Sequence, residues 1–265
     1  MDEEGVLKKR EAGWLLLFLL LCAITVFFNR PERFLVVSVP VADIRRIPQD
    51  AKPGYGHDDL NETQVLYNEI LRYRGENAGW YRVEALEQKE FTHHKLWQGY
   101  PGWIRKEKAV FIKARPARIN AVKGEEERRQ DIVREAKLFL GIPYLWGGRS
   151  ITTGVDCSGL VNLAYRASGV DIARDAHEQW MTSRPLRADE LKPADLIFLS
   201  RKDNFTSIVH VMLFLGGEDF IEGPGTGQKV RTCNFKEKFG LSLSELKERN
   251  YIAAGQKIYF GRILP

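Results

Sequence analysis

The chain has 265 residues, 44% hydrophobic and 28% charged, which suits one large domain or two modest ones and excludes a disordered or collagen-like chain. Forty Lys and Arg against 35 Asp and Glu leave a formal charge of +5, a mild bias toward an anionic surface or polymer; with no recognition motif beside it, nucleic acid is not expected as a partner. Three widely spaced cysteines, Cys22, Cys157 and Cys233, exclude a disulfide framework and a multi-cysteine zinc site, so no metal or other cofactor is expected and each thiol is judged alone.

Residues 14–28, "WLLLFLLLCAITVFF", are apolar without a break and follow the basic Lys8-Lys9-Arg10. The run is shorter than the roughly 20 residues that usually span a bilayer. It also suits a signal-peptide core, yet the following "NRPERF" offers no small-x-small cleavage site. Residues 1–30 are therefore read as a signal or anchor segment. The basic flank is placed inside and the remainder exported to the cell envelope, anchored or signal-cleaved.

Residues 31–120 read as short β-branched and aromatic runs punctuated by Pro53-Gly54, Gly75, Gly79 and Pro101-Gly102, the pattern of a small all-β barrel. "TQVLYNE", "GENAGWYRV" and "GYPGWI", with their two Gly-Trp pairs, resemble a bacterial SH3 domain. His93-His94, an adjacent pair whose rings would point apart, is expected in a solvated loop rather than at a metal.

A second regime begins near residue 121 and runs to the end. "EEERRQDIVREAKLFLG" predicts a helix: acidic residues lead it, Ile132, Ala136, Phe139 and Leu140 recur on one face, and Gly141 with Pro143 stops it. From Leu160 a second helical spacing runs to Gly169, with Asp156 as N-cap, so that Cys157 stands in the first turn. Unpaired N–H groups and the positive end of the dipole there stabilise a thiolate and can receive an oxyanion. The same position also suits a small buried hydrophobe.

A nucleophilic thiol needs a base, and the base needs an orienting group. "KPADLIFLS" predicts a buried strand, and "IVHVMLFLGGEDFIEGPG" a hairpin centred near Gly216-Gly217, with His210 on its first strand and Glu222 on its second. A two-residue loop would put His210 and Glu222 on opposite faces, and a three- or five-residue loop on the same one; periodicity leaves the choice open.

Read together, Tyr144-Leu145-Trp146-Gly147-Gly148, Asp156-Cys157-Ser158-Gly159, Pro193 with Asp195-Leu196, and His210-Val211 resemble, in order, the NlpC/P60 family of cell-wall cysteine peptidases. The resemblance implies an α+β, papain-like catalytic domain over residues 121–265, preceded by the SH3-like barrel. It maps Cys157 to the nucleophile, His210 to the base and Glu222 to the third polar position, where the family often has His. Ala194 departs from the Gly usually found before Asp195.

The implied reaction is hydrolysis of peptidoglycan stem peptides or muropeptides, at the bond between γ-D-glutamate and a diamino acid. Backbone groups at Cys157 and Ser158 would hold the oxyanion. Members with an SH3 region bind the free amine of the terminal L-alanine, which maps onto Tyr144 and Asp156, with Glu69 and Tyr100 matched from the barrel. A catalytically silent, membrane-tethered wall-binding protein, and an amidase or acyltransferase of the same superfamily, remain as alternatives.

Overall fold

The computed structural model describes residue 14 and residues 31–51, 57–116 and 123–265. The 14–28 segment, apart from Trp14, lies outside the described residues. Among those described, no helix is long and apolar enough to cross a membrane.

Residues 34–265 form one compact unit. Its first part is an antiparallel sheet of β1 (Phe34–Val37), β2 (Val41–Arg45), β3 (Asn61–Leu66), β4 (Ile70–Asn77), β5 (Trp80–Glu90), β6 (Gln98–Arg105) and β7 (Ala109–Ile112), in the order β3-β2-β6-β5-β4-β1-β7. Alternate residues of these strands, among them Leu35, Ile44, Val65, Leu71, Val83 and Ile104, close a core of their own. That alternation is what apolar runs of period two dictate.

The second part starts with helix α1 (Glu125–Lys137), two short strands β8 (Arg149–Ser150) and β9 (Gly154–Val155), and helices α2 (Cys157–Ala167) and α3 (Ala176–Thr182). Its sheet contains β10 (Arg184–Leu186), β11 (Leu196–Ser200), β12 (Ile208–Gly216), β13 (Asp219–Glu222), β14 (Arg231–Asn234) and β16 (Gln256–Arg262), ordered β10-β16-β11-β12-β13-β14. The short helices α4 (Phe235–Phe239) and α5 (Leu243–Glu248) precede β15 (Ile252–Ala253), which pairs with β16. The sheet is apolar on both faces. Leu196, Phe198, Val211, Leu213 and Ile221 pack toward Leu160, Val161 and Ala164 of α2, while Ile197, Met212, Phe214 and Phe220 pack with Phe235 and Leu246.

Helix α1 ends at Lys137, three residues before the expected Leu140, and Leu138 and Leu140 are exposed. The chain turns there because its backbone finds other partners: Gly141 N donates to Val230 O and Tyr144 N to Gln228 O. Ala194, just before Asp195, has φ +71°, a left-handed conformation that an L-residue adopts at a cost.

The two parts are joined by buried charge. Arg149 donates to Gln64 O, both Glu69 oxygens and Asn162 Oδ1. Arg174, fully buried, donates from Nε to Thr63 Oγ1 at 2.7 Å and from its two Nη atoms to Asp156 and Ser158. Asn61 Nδ2 donates to Trp146 O. Gly147, with φ +69°, accepts that approach because a Cβ there would lie 2.8 Å from Asn61 Nδ2.

Candidate active site

Cys157 opens α2 as expected. Asp156 caps the helix, its Oδ1 accepting from Gly159 N at 2.6 Å, and Leu160 N donates to Asp156 O. The earlier amides of the turn, those of Cys157 and Ser158, have no carbonyl one turn back to bond. Gly159 lets the helix start seat against the preceding loop, because a Cβ on it would fall 2.3 Å from Gly148 O.

His210, on β12, lines the same cleft as Cys157. Its Nε2 donates to Glu222 Oε2 at 2.9 Å, which leaves Nδ1 as the nitrogen for the thiol. The question of face is settled by a bulge. Gly216 pairs with Asp219 around a two-residue loop, but the register shifts at Leu215, so that Phe214 pairs with Phe220 and Leu213 with Ile221. One added residue reverses the parity and brings Glu222 to the side of His210.

Glu222 is fully buried and carries three cationic partners: His210, Lys238 Nζ on Oε2 at 2.5 Å, and Arg231 Nε and Nη2 on Oε1 at 3.2 and 3.1 Å. Burial alone would push its carboxyl up, yet the hydrogen bond and charge of His210, followed by Lys238, hold it down at about 2. Burial works against the charged form of His210, but Cys157 and then Glu222 favour it and raise the imidazole to about 9. The three groups thus form a chain from thiol to imidazole to carboxylate, the arrangement needed for nucleophilic attack on a carbonyl and proton delivery to a leaving group.

The cleft lined by Cys157 and His210, with Glu222 buried behind it, has a volume of about 1200 Å³ and is walled by both sheets. Of the residues expected to bind substrate, Tyr144, Asp156, Ser158 and Tyr100 line it. Burial, then the neighbouring Cys157 and Asp156, raise the Tyr144 phenol, which keeps it a hydroxyl donor. Tyr100 donates to Asp175 Oδ2 at 2.9 Å. Asp156 spends one oxygen on Gly159, Ser158 and Arg174 Nη1, while Oδ2 takes Arg174 Nη2 and retains acceptor capacity.

Glu69 is not brought to the cleft. It is 1% exposed in the turn between β3 and β4, where Arg149, Arg166 and Gln88 bond its carboxylate. The acid that β3 does present to the cleft is Glu62, paired with Arg46 and His93. Burial raises the Glu62 carboxyl, but those two partners outweigh it and hold the group below its ordinary range.

His93 lies in an exposed turn, as expected, and is held there by two carboxylates. Its ring stands between Glu62 and Glu90, whose hydrogen bonds raise it to about 9 against burial, and it packs edge-on to Tyr100. His94 is exposed. Asp175, just before α3, and His177 and Glu178 in its first turn also line the cleft, with burial raising the Asp175 carboxyl to about 7. Among the described residues no cluster of His, Cys, Asp and Glu has the geometry to hold a metal ion.

Sequence reasoning missed Glu62, Asp175, Arg174, Arg231 and Lys238. Each reads in the chain as an ordinary surface charge, and only the contact between the two sheets and the approach of α4 to β13 give it a role.

Residues 141–243 match the model of the NlpC/P60 family. A gamma-D-glutamyl-L-lysine dipeptidyl-peptidase of Bacillus subtilis (strain 168) is 27% identical, over 73% of this chain and 82% of its own length. A protein of the same name from Bacillus cereus (strain ATCC 10987 / NRS 248) is 28% identical over 75% of this chain, which spans about half of that relative, 52%. The murein DD-endopeptidase MepH of Escherichia coli (strain K12) is 36% identical over 43% of this chain and 41% of its own length. A solved NlpC/P60 family protein from Bacillus cereus ATCC 10987 superimposes with a TM-score of 0.44 at 25% identity, covering 88% of this chain and 64% of that one.

Proposed function

From the match of residues 141–243 to the NlpC/P60 family and the likeness to named peptidoglycan endopeptidases, we propose that this chain hydrolyses stem peptides at the γ-D-glutamyl–diamino acid bond, with Cys157 as nucleophile and His210 as base. The chain is an enzyme, a cysteine peptidase, and its relatives support a peptidoglycan hydrolase of the cell envelope. The observation that carries the assignment of residues is the chain Cys157, His210, Glu222, whose first two members line one cleft.

In this reading the Cys157 thiolate attacks the γ-carbonyl and the amides at the start of α2 receive the oxyanion. His210 protonates the leaving amine, then takes a proton from water for deacylation, while Glu222 stays anionic and keeps the ring oriented. Asp156, Asp175, Tyr100, Tyr144 and Glu62, the last held between Arg46 and His93, offer a free ammonium the oxygen acceptors that a buried site must supply. This supports a substrate with an unblocked N-terminal amine, with Glu62 proposed for the role expected of Glu69.

Residues 31–120 are proposed as the SH3-like domain, residues 121–265 as the catalytic domain, and residues 1–30 as the segment that exports the chain or anchors it at a membrane. Incubation with defined muropeptides, read by mass spectrometry, tests the reaction. Cleavage by the wild type and none by Cys157→Ala is the expected result; no cleavage by either refutes it.

A further inference from the structure

We propose that Lys238, with Arg231, is a positioning residue for the catalytic pair: by sharing the Glu222 carboxylate with His210 it holds that carboxylate charged and in place whether or not the imidazole carries a proton, and so lets His210 release its proton. The inference rests on the assignment of Cys157, His210 and Glu222 made above.

Lys238 Nζ and His210 Nε2 reach the same oxygen, Glu222 Oε2, at 2.5 and 2.9 Å, and Arg231 takes Oε1. During turnover the imidazole alternates between charged and neutral forms. A fully buried carboxylate whose only partner is that imidazole would lose its counter-charge at every deprotonation, and would therefore hold the proton back. Two permanently charged partners remove this dependence. They also draw on the same carboxylate and weaken its pull on the imidazolium.

The fold fixes both cations. Arg231 is the cross-strand partner of Glu222 on β14. Lys238 lies on α4, where Asn234 caps the helix by accepting from Glu237 N at 2.8 Å, and Phe235 and Phe239 pack on Phe220, two residues before Glu222. The Lys238 side chain is only 17% exposed and lines the cleft. The other titratable groups around the pair are Cys157 and Asp156 at the start of α2, His177 on α3 and Tyr144 before β8, with Cys233 and Glu237 beyond Arg231.

The test uses Lys238→Met and Lys238→Arg in the full chain, with folding checked by thermal melting. Two readouts are taken against pH: alkylation of Cys157 by iodoacetamide, followed on its own peptide by mass spectrometry, and kcat/KM on a defined muropeptide. Loss of the Lys238 charge makes the imidazolium harder to deprotonate, and the thiolate keeps its charged partner to higher pH. The upper inflection of the alkylation profile, where the imidazolium beside the thiolate loses its proton, and the basic limb of kcat/KM should therefore move to higher pH by about one unit in Lys238→Met, and return most of the way in Lys238→Arg.

A Lys238→Met profile that coincides with wild type, or a Lys238→Arg profile displaced as far as Lys238→Met, overturns the proposal. Arg231→Gln, at a more exposed position, should shift the profile in the same direction by less; if Lys238→Met does not fold, an unmoved Arg231→Gln profile is the refuting result. Because alkylation needs no substrate, a wild type that cleaves nothing would defeat the peptidase assignment while the role of Lys238 is still read.

Discussion

His210 and Glu222, twelve residues apart in the chain, meet at 2.9 Å across a hairpin that would separate them without its bulge. Glu222→Ala is expected to lower kcat roughly ten- to a hundredfold with little change in KM, since it removes the group that orients the ring and no contact to substrate. Steady-state kinetics on a muropeptide check this, and an unchanged kcat would exclude Glu222 from the catalytic chain.

The same pair makes stability depend on pH. The imidazole is raised from 6.5 to about 9, so its contribution is fully present below about 6.5 and is lost as pH rises through 9. The carboxyl is lowered from 4.5 to about 2, so its contribution is present above about 4.5 and is lost as pH falls through 2. The two share the His210–Glu222 contact, which is counted once, while Cys157 adds to the first and Lys238 to the second. Urea denaturation should show His210→Ala less stable than wild type by the order of 2 kcal/mol near pH 5.5, with the gap shrinking toward pH 9.5. A gap constant across that range would contradict the assignment.

Glu62 and Glu69 separate a binding role from a structural one. Glu62→Gln should raise KM several-fold for a peptide with a free terminal amine and have little effect on its N-acetylated form. Glu69→Gln leaves Arg149 short of charge in a buried site, so it should lower the melting temperature before it changes KM. The reverse pattern would restore Glu69 to the binding site.

Arg174 should be the costliest of the charged side chains to truncate. Arg174→Met leaves the buried Asp156 carboxylate without its cation and cuts the bond to Thr63, a loss of about 3–5 kcal/mol. Chemical denaturation measures it directly. A loss under about 1 kcal/mol would mean that Asp156 is sustained by the helix start alone.

At Ala194 the backbone asks for glycine. Ala194→Gly relieves the left-handed conformation at the expense of a buried methyl group, and should stabilise the chain by about 0.5–1 kcal/mol. A melting temperature that falls would show that the methyl contributes more than the strain.

The elements that carry local signals were legible in the chain. Asp156 and the apolar spacing from Leu160 to Gly169 mark α2, and short continuous apolar runs bounded by turn residues mark β11 and β12, because these signals act over a few residues. What depends on distant contacts was not. Glu62 and Glu69 both stand beside β-branched or aromatic neighbours, and only the docking of the first sheet on the helix start decides which faces the cleft. Arg174, fully buried, and Lys238 carry the same letters as solvated charges. Gly216 and Gly217 mark the turn beside the bulge at Leu215, but they suit a two-residue loop as well as a bulged one, so the parity of the hairpin was not readable from them.

That bulge ties the length of a surface turn to the chemistry. Removing one residue between Leu215 and Glu218 would send the Glu222 carboxylate toward the side occupied by Val211 and Leu213, where it would be an uncompensated charge in an apolar layer. A change of two residues would keep its facing. Length variation in this hairpin is therefore tolerated in even steps, and an odd one costs both the fold and the reaction.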